Sequence, residues 1–226
     1  MNWMKAIVCM SGISCFMTAC SLDNYEAPTS AIYGSFIDQE TGELIEQDIV
    51  RGTQIEYQEG RFVANQYMVV KPDGTYRNNL LFNGVYKFTP VRGNFEPIDP
   101  VTVEITRDTK LDFQVIPFLR IKHVSIFKNG NKVKAIFRIQ QTGFDNVLKV
   151  GLYAGADKAA GATVNQSAVE IPVGATVSED QSFTIEMDIV NNPRLKKGFT
   201  YYFRVGAVID APEAKFNYAP AVELTL

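Results

Sequence analysis

The chain has 226 residues, carries 22 Lys and Arg against 25 Asp and Glu, and has a net charge of −3. Its basic residues are scattered, which excludes the clustered electrostatic footprint of a nucleic-acid binder. Cys9, Cys15, Cys20 and the lone Trp3 all lie within residues 1–20, so the remainder can form no disulfide, thiolate nucleophile or Cys-ligated zinc site.

Met1 to Lys5 is a short, positively charged start, and Ala6 to Met17 is an apolar run of signal-peptide length, well short of the ~20 residues a membrane-spanning helix needs. Ala19 before Cys20 fits a lipoprotein cleavage site. The expectation is a signal peptide over 1–19, lipidation at Cys20 and a tether over 20–30. Asp23 and Glu26, just behind the cysteine, resemble the surface-export signal of Bacteroidetes lipoproteins. This implies an outer-membrane, lipid-anchored protein at the cell surface.

Structure is expected to begin at Ala31. Ile32 to Asp38 reads as a strand closing into the turn Thr41-Gly42-Glu43, and Asp73-Gly74 and Asn83-Gly84 are hairpin signals in which Gly supplies a positive φ. Val101 to Ile105 and Leu111 to Ile116 alternate apolar and polar residues. The run from Ile32, with Gly34 and the Asp38-x-x-Thr41-Gly42 turn, resembles the carboxypeptidase regulatory-like domain, a transthyretin-like β-sandwich. Asp73-Gly74-Thr75-Tyr76 and Gly84-Val85-Tyr86 continue that likeness.

Strand periodicity breaks at Pro117, giving expected domains over 31–117 and 121–226. In the second, Lys122 to Phe127 and Lys132 to Ile139 flank the hairpin signal Asn129-Gly130, and Leu148 to Ala154 is a further strand. Gly155 to Ala162, rich in Ala and Gly without a period, reads as a flexible loop. Phe183, Ile185, Met187 and Ile189 share one face of a strand. Leu195, Gly198 and Tyr201 are spaced as in the sixth strand of fibronectin type III domains, where the tyrosine forms a structural corner. On that pattern Tyr201, Phe203, Val205 and Ala207 point inward, and Tyr202 and Arg204 outward.

The fold class is therefore all-β, two Ig-like/transthyretin-like β-sandwich domains in tandem behind a lipoprotein signal peptide. Both halves in this order resemble the DUF3823 family of Bacteroidetes lipoproteins. That resemblance implies an accessory role beside outer-membrane glycan importers, with polysaccharide and importer components as partners.

Catalytic chemistry finds little support. His123 is the only histidine, so no His-rich metal site can be built, and a Ser-His-Asp triad would have to use this residue, which reads as a surface or packing position. Asp38, Glu43, Asp73, Asp108 and Asp180 sit at turns, and spacing does not bring two together as a glycosidase pair. Asp38 to Glu43 lacks the Asp-x-Asp spacing of a calcium loop, and Asp38 is better placed to bond its own turn. The expectation is a non-enzyme without metal or cofactor. Sugar-binding candidates, chosen as aromatic and planar polar side chains near turns, are Tyr67, Tyr76, Arg77, Asn79 and Phe95, with Asn78 and Asn94 nearby and Phe216, Asn217 and Tyr218 in the second half. A scaffold that binds another protein and no small ligand stays open as the alternative.

Overall fold

The computed structural model describes residues 26–60 and 64–226. The expected signal peptide and the expected lipidation site, Cys20, lie outside the described residues. Sixteen strands and no helix occur among the described residues. The first domain contains β1 (Ser30–Asp38), β2 (Gln54–Glu59), β3 (Gln66–Val69), β4 (Thr75–Leu81), β5 (Gly84–Val91), β6 (Val101–Ile105), β7 (Asp108–Lys110) and β8 (Phe113–Val115). The second contains β9 (Leu119–Asn129), β10 (Lys132–Gln141), β11 (Val147–Gly155), β12 (Ser167–Ala175), β13 (Ser182–Asp188), β14 (Thr200–Ile209), β15 (Asn217–Tyr218) and β16 (Val222–Thr225).

In the first domain, a sheet ordered β4-β1-β7, with β8 also beside β1, faces a sheet ordered β3-β2-β5-β6. β1 pairs in parallel with both β7 and β8. A parallel pair needs a crossover, and here the whole second sheet supplies it. Alternation sends Ile32, Phe36, Tyr76 and Phe113 inward against Ile55, Tyr57, Met68 and Phe88. Phe36 stacks on Phe95 and Phe113 with ring centroids 5.1 and 5.0 Å apart, each such pair contributing about 0.5–1.5 kcal/mol beyond its buried area. Gly34 is required by close approach: a Cβ there would lie 1.7 Å from the Leu111 carbonyl oxygen. That oxygen accepts the buried Tyr76 hydroxyl at 2.5 Å.

The second domain packs a sheet ordered β13-β10-β9 on one ordered β12-β11-β14, with β15 and β16 both beside β14. Val133, Ala135, Phe137 and Ile139 of β10 and Phe183, Ile185 and Met187 of β13 meet Val150, Leu152, Phe203 and Val205. Tyr201 is buried, and its hydroxyl accepts the Lys196 backbone N–H at 2.9 Å, which is the expected tyrosine corner. On β9 the inward residues run Leu119, Ile121, then Val124 and Ile126. The phase slips at exposed His123, whose φ of 53° marks a bulge against β10.

The hairpin signals divide. Gly74 and Gly130 hold positive φ at their turns, whereas Gly84 does not and instead opens β5. Gly155 to Ala162 is packed rather than loose, because Ala160 is buried against Tyr153 and Tyr218. Nothing in the sequence marks β12, whose residues are nearly all solvent-facing and break the alternation at Pro172.

Tyr201→Phe should cost about 1–2 kcal/mol by orphaning the Lys196 N–H, read as a lower denaturant midpoint at unchanged m-value. An unchanged midpoint would mean that the corner contributes nothing.

Candidate functional site

Only Ile116 to Phe118 separates β8 from β9, and this short linker is held from both sides. The Phe118 N–H donates to the Asn94 carbonyl at 3.0 Å, and Phe95 bridges to Pro117. The facing ends of the domains are polar, and most of their polar groups pair across the seam, although Asn94 Oδ1 and Gln47 Nε2 are buried there without a partner. Asn94 Nδ2 donates to the carbonyls of Glu46 and Phe216, both at 3.0 Å, while Asn217 Nδ2 donates to the Asn94 carbonyl at 2.9 Å. The Leu119 N–H donates to Asn217 Oδ1 at 3.2 Å.

Two arginines of the second domain reach into the first. Arg120 at the start of β9 forms a two-pronged pair with Asp38 at the end of β1, and its Nη1 lies 2.9 Å from Glu40. Arg204 of β14 is fully buried. Its Nη2 pairs with Glu46 at 2.5 Å and approaches the Pro72 carbonyl at 3.2 Å. Its Nη1 donates to the Gln47 carbonyl at 3.1 Å and its Nε to the Ala219 carbonyl at 3.0 Å. The guanidinium lies 4.2 Å from the Tyr218 ring centroid, a cation–π contact that desolvation strengthens. Gly206, paired with Tyr218 across the strands, leaves room for that ring: a Cβ there would meet it at 2.5 Å. The Tyr218 hydroxyl donates to Asp48 at 3.0 Å and accepts the Ala162 N–H at 2.9 Å.

Electrostatics follow from this burial. Desolvation pushes the Glu46 carboxyl up despite Arg204, and pulls Arg204 down despite Glu46. At Asp38 burial also acts upward, but the bonds from Arg120 and the Glu40 N–H outweigh it and hold the carboxyl below its usual range. Burial and Asp48 raise the Tyr218 phenol.

Along the outside of the seam runs a groove made of two adjoining clefts that share Glu46 and Pro220. One, of about 750 Å³, is lined by Lys71, Asp73, Asp157, Lys158 and Tyr202. The other, of about 570 Å³, is lined by Leu44, Arg120 and Lys122. Tyr202 is half-buried, and its hydrogen bond to Glu223 raises the phenol. Asp73 accepts the Thr75 N–H at 3.0 Å and Asp157 the Ala159 N–H at 2.8 Å, so each carboxylate is held by its own turn.

The residues singled out from sequence do not converge on one exposed site, although Asn94, Phe216, Asn217 and Tyr218 do meet at the seam. Tyr76 and Phe95 are core residues, 2% and 4% exposed. Alternation on β4 turns Tyr76 inward, and the loop after β5 folds Phe95 against Phe36, so neither offers a ring to a ligand. Tyr67 is exposed on β3, its hydroxyl 3.0 Å from Glu56. Arg77 and Asn79 lie on the opposite sheet, where Arg77 pairs with Asp108 at 3.0 Å, bonds Asn79 and covers the Tyr33 ring. Asn94, Asn217 and Tyr218 are seam residues, buried where the domains meet. Asp38 does bond its own turn, through the Glu40 N–H at 3.0 Å, but also carries the pair with Arg120. Arg204, expected outward, is buried because the outer face of β14 is covered by the first domain and by residues 216–219.

The fold and seam define a class of tandem β-sandwich proteins with a fixed interdomain junction. The chain belongs to the DUF3823 family: residues 30–116 match the model of the DUF3823 N-terminal domain, described as a protein of unknown function, and residues 119–223 match DUF3823_C, a domain of unknown function. Among solved structures, a putative carbohydrate binding protein from Bacteroides uniformis is 29% identical with a TM-score of 0.81, covering 88% of this chain and 100% of its own. A DUF3823 family protein from Parabacteroides merdae is 22% identical with a TM-score of 0.76 over the same shares. One from Bacteroides ovatus is 25% identical with a TM-score of 0.71, again over 88% and 100%. No curated protein matches the chain.

Asp38→Asn should cost about 3 kcal/mol at pH 7 by leaving Arg120 buried with half a partner. Because the folded-state pKa lies below the unfolded one, the stabilisation is complete above about pH 4 and is lost as pH falls through the folded value. The gap between wild type and variant should therefore close in acid unfolding curves. A gap of constant size down to low pH would contradict the assignment.

Proposed function

We propose that this chain is a non-enzymatic accessory of a glycan-uptake system, held at the outer membrane by lipid on Cys20, and that it takes polysaccharide in the seam groove. The observation that carries this reading is Tyr202, an aromatic ring in an open groove flanked by the carboxylates Asp73 and Asp157 and the ammonium groups Lys71 and Lys158. Sugars present apolar ring faces edged by hydroxyls. An aromatic surface bordered by fixed polar groups meets both requirements, and domain junctions are favoured places for such sites. The turn bonds that hold Asp73 and Asp157 mean that little ordering is left for a ligand to impose. The 29%-identical protein from Bacteroides uniformis, a putative carbohydrate binding protein, supports the same reading.

A hydrolytic reading is less well supported. A glycosidase needs one carboxyl kept protonated near neutral pH beside an ionised partner. Among the described residues Glu46 is the carboxyl pushed upward, and it is paired with Arg204.

Affinity electrophoresis of the chain through gels containing plant and host polysaccharides tests the proposal. Retardation by one polysaccharide, weakened roughly tenfold (about 1.4 kcal/mol) by Tyr202→Ala and untouched by Tyr67→Ala, is the expected result. Migration unchanged by every polysaccharide would favour the scaffold reading, for which fully exposed Phe144 between β10 and β11 is the first surface to probe.

A further inference from the structure

The end of the first domain remote from the seam presents apolar side chains to solvent. Leu80, Phe82 and Val85, at the β4–β5 connection, are 74%, 46% and 53% exposed. They are held there by the backbone rather than left loose. A bulge in β4 opposite the start of β1 turns Leu80 outward, and its N–H is taken by Asn78 Oδ1 at 2.9 Å. The Tyr86 hydroxyl donates to the Phe82 carbonyl at 3.1 Å. The Gly60 N–H donates to the Val85 carbonyl at 3.1 Å. Ser30 Oγ bonds Asn83 Oδ1, which ties the tip to the first residue of β1.

The chain toward Cys20 therefore leaves the fold beside this tip. Ser21 to Thr29 can span at most about 30 Å when fully extended. The seam lies a full length of β1 farther away, about 30 Å at strand spacing, because Asp38 at the other end of β1 bonds Arg120. Of the exposed apolar side chains, those at the tip are the ones the tether delivers to the surface that holds the lipid.

We propose that Leu80, Phe82 and Val85 dock on the bilayer that holds the acylated Cys20, setting the first domain upright with the seam groove facing away from the membrane. The inference rests on lipidation of Cys20. Acyl chains supply the affinity, and the rigid apolar tip, entering the headgroup boundary, supplies orientation.

The chain after Cys20 has no other cysteine, so a single probe can be placed without a reactive background. The full-length lipoprotein carrying Val85→Cys with an environment-sensitive fluorophore is reconstituted in phosphatidylethanolamine/phosphatidylglycerol vesicles, beside the same label at Tyr202→Cys. The label at 85 should shift to the blue and be quenched by lipid-borne nitroxides, and adding Leu80→Ser with Phe82→Ser should return it to water. The label at 202 should stay in water throughout. An acylated chain whose label at 85 stays as aqueous as that at 202 overturns the docking while leaving the anchor standing. A chain that mass spectrometry finds unacylated overturns the anchor and the docking together. Neither result touches the gel assay of the groove, which needs no membrane.

Discussion

A fully buried arginine in the middle of a strand governs how this molecule is assembled. Placing the Arg204 charge away from water costs several kcal/mol, and neither domain alone could compensate it. Ala219 and Tyr218 come from the second domain, whereas Glu46 and the carbonyls of Gln47 and Pro72 come from the first. The charge is satisfied only when both domains are folded and docked in this one orientation. A polar junction of this kind adds less net stability than an apolar one of equal area, but it rejects misdocked arrangements, because each of them strands a charge.

The remaining seam contacts follow the same logic. Asp38 with Arg120, Asn94 with Asn217, and Asp48 with Tyr218 are polar pairs whose members come from opposite domains. The short linker at Ile116 to Phe118 limits relative motion further. The groove outside the seam is accordingly a fixed shape, lined from both sides, and Tyr202 reaches it from the same face of β14 that carries Arg204 into the junction. Seam and apolar tip stand at opposite ends of β1, so one strand sets the distance between the exposed apolar side chains and the groove.

Much of the fold is legible in the sequence because it rests on local rules. Alternation over Phe183 to Ile189 and Tyr201 to Ala207 gives the inward faces, and the Leu195, Gly198, Tyr201 spacing gives the corner. The limits are equally physical. Alternation assumes that one face of a strand meets water, and β14 is covered on both, so the pattern alone places Arg204 in the wrong environment. Its one visible signal is a charge set in the otherwise apolar run Phe203 to Val208. Tyr76 and Phe95 look like surface aromatics beside polar turns, yet the phenol of Tyr76 finds its partner in a carbonyl 35 residues away in sequence. Glu46 and Tyr202 lie far apart in the chain, and only docking of the domains brings them to one groove.

The fixed junction is the claim on which the groove, its orientation and its chemistry depend. Scanning calorimetry of the chain from Ser21 to Leu226, beside its Arg204→Met variant, tests it most directly. Coupled domains predict one endotherm for the wild type, with a van't Hoff enthalpy equal to the calorimetric one. Arg204→Met, which strands Glu46, should separate the melt into two transitions. Two transitions already present in the wild type, or a variant that melts as one unit at the wild-type temperature, would contradict it.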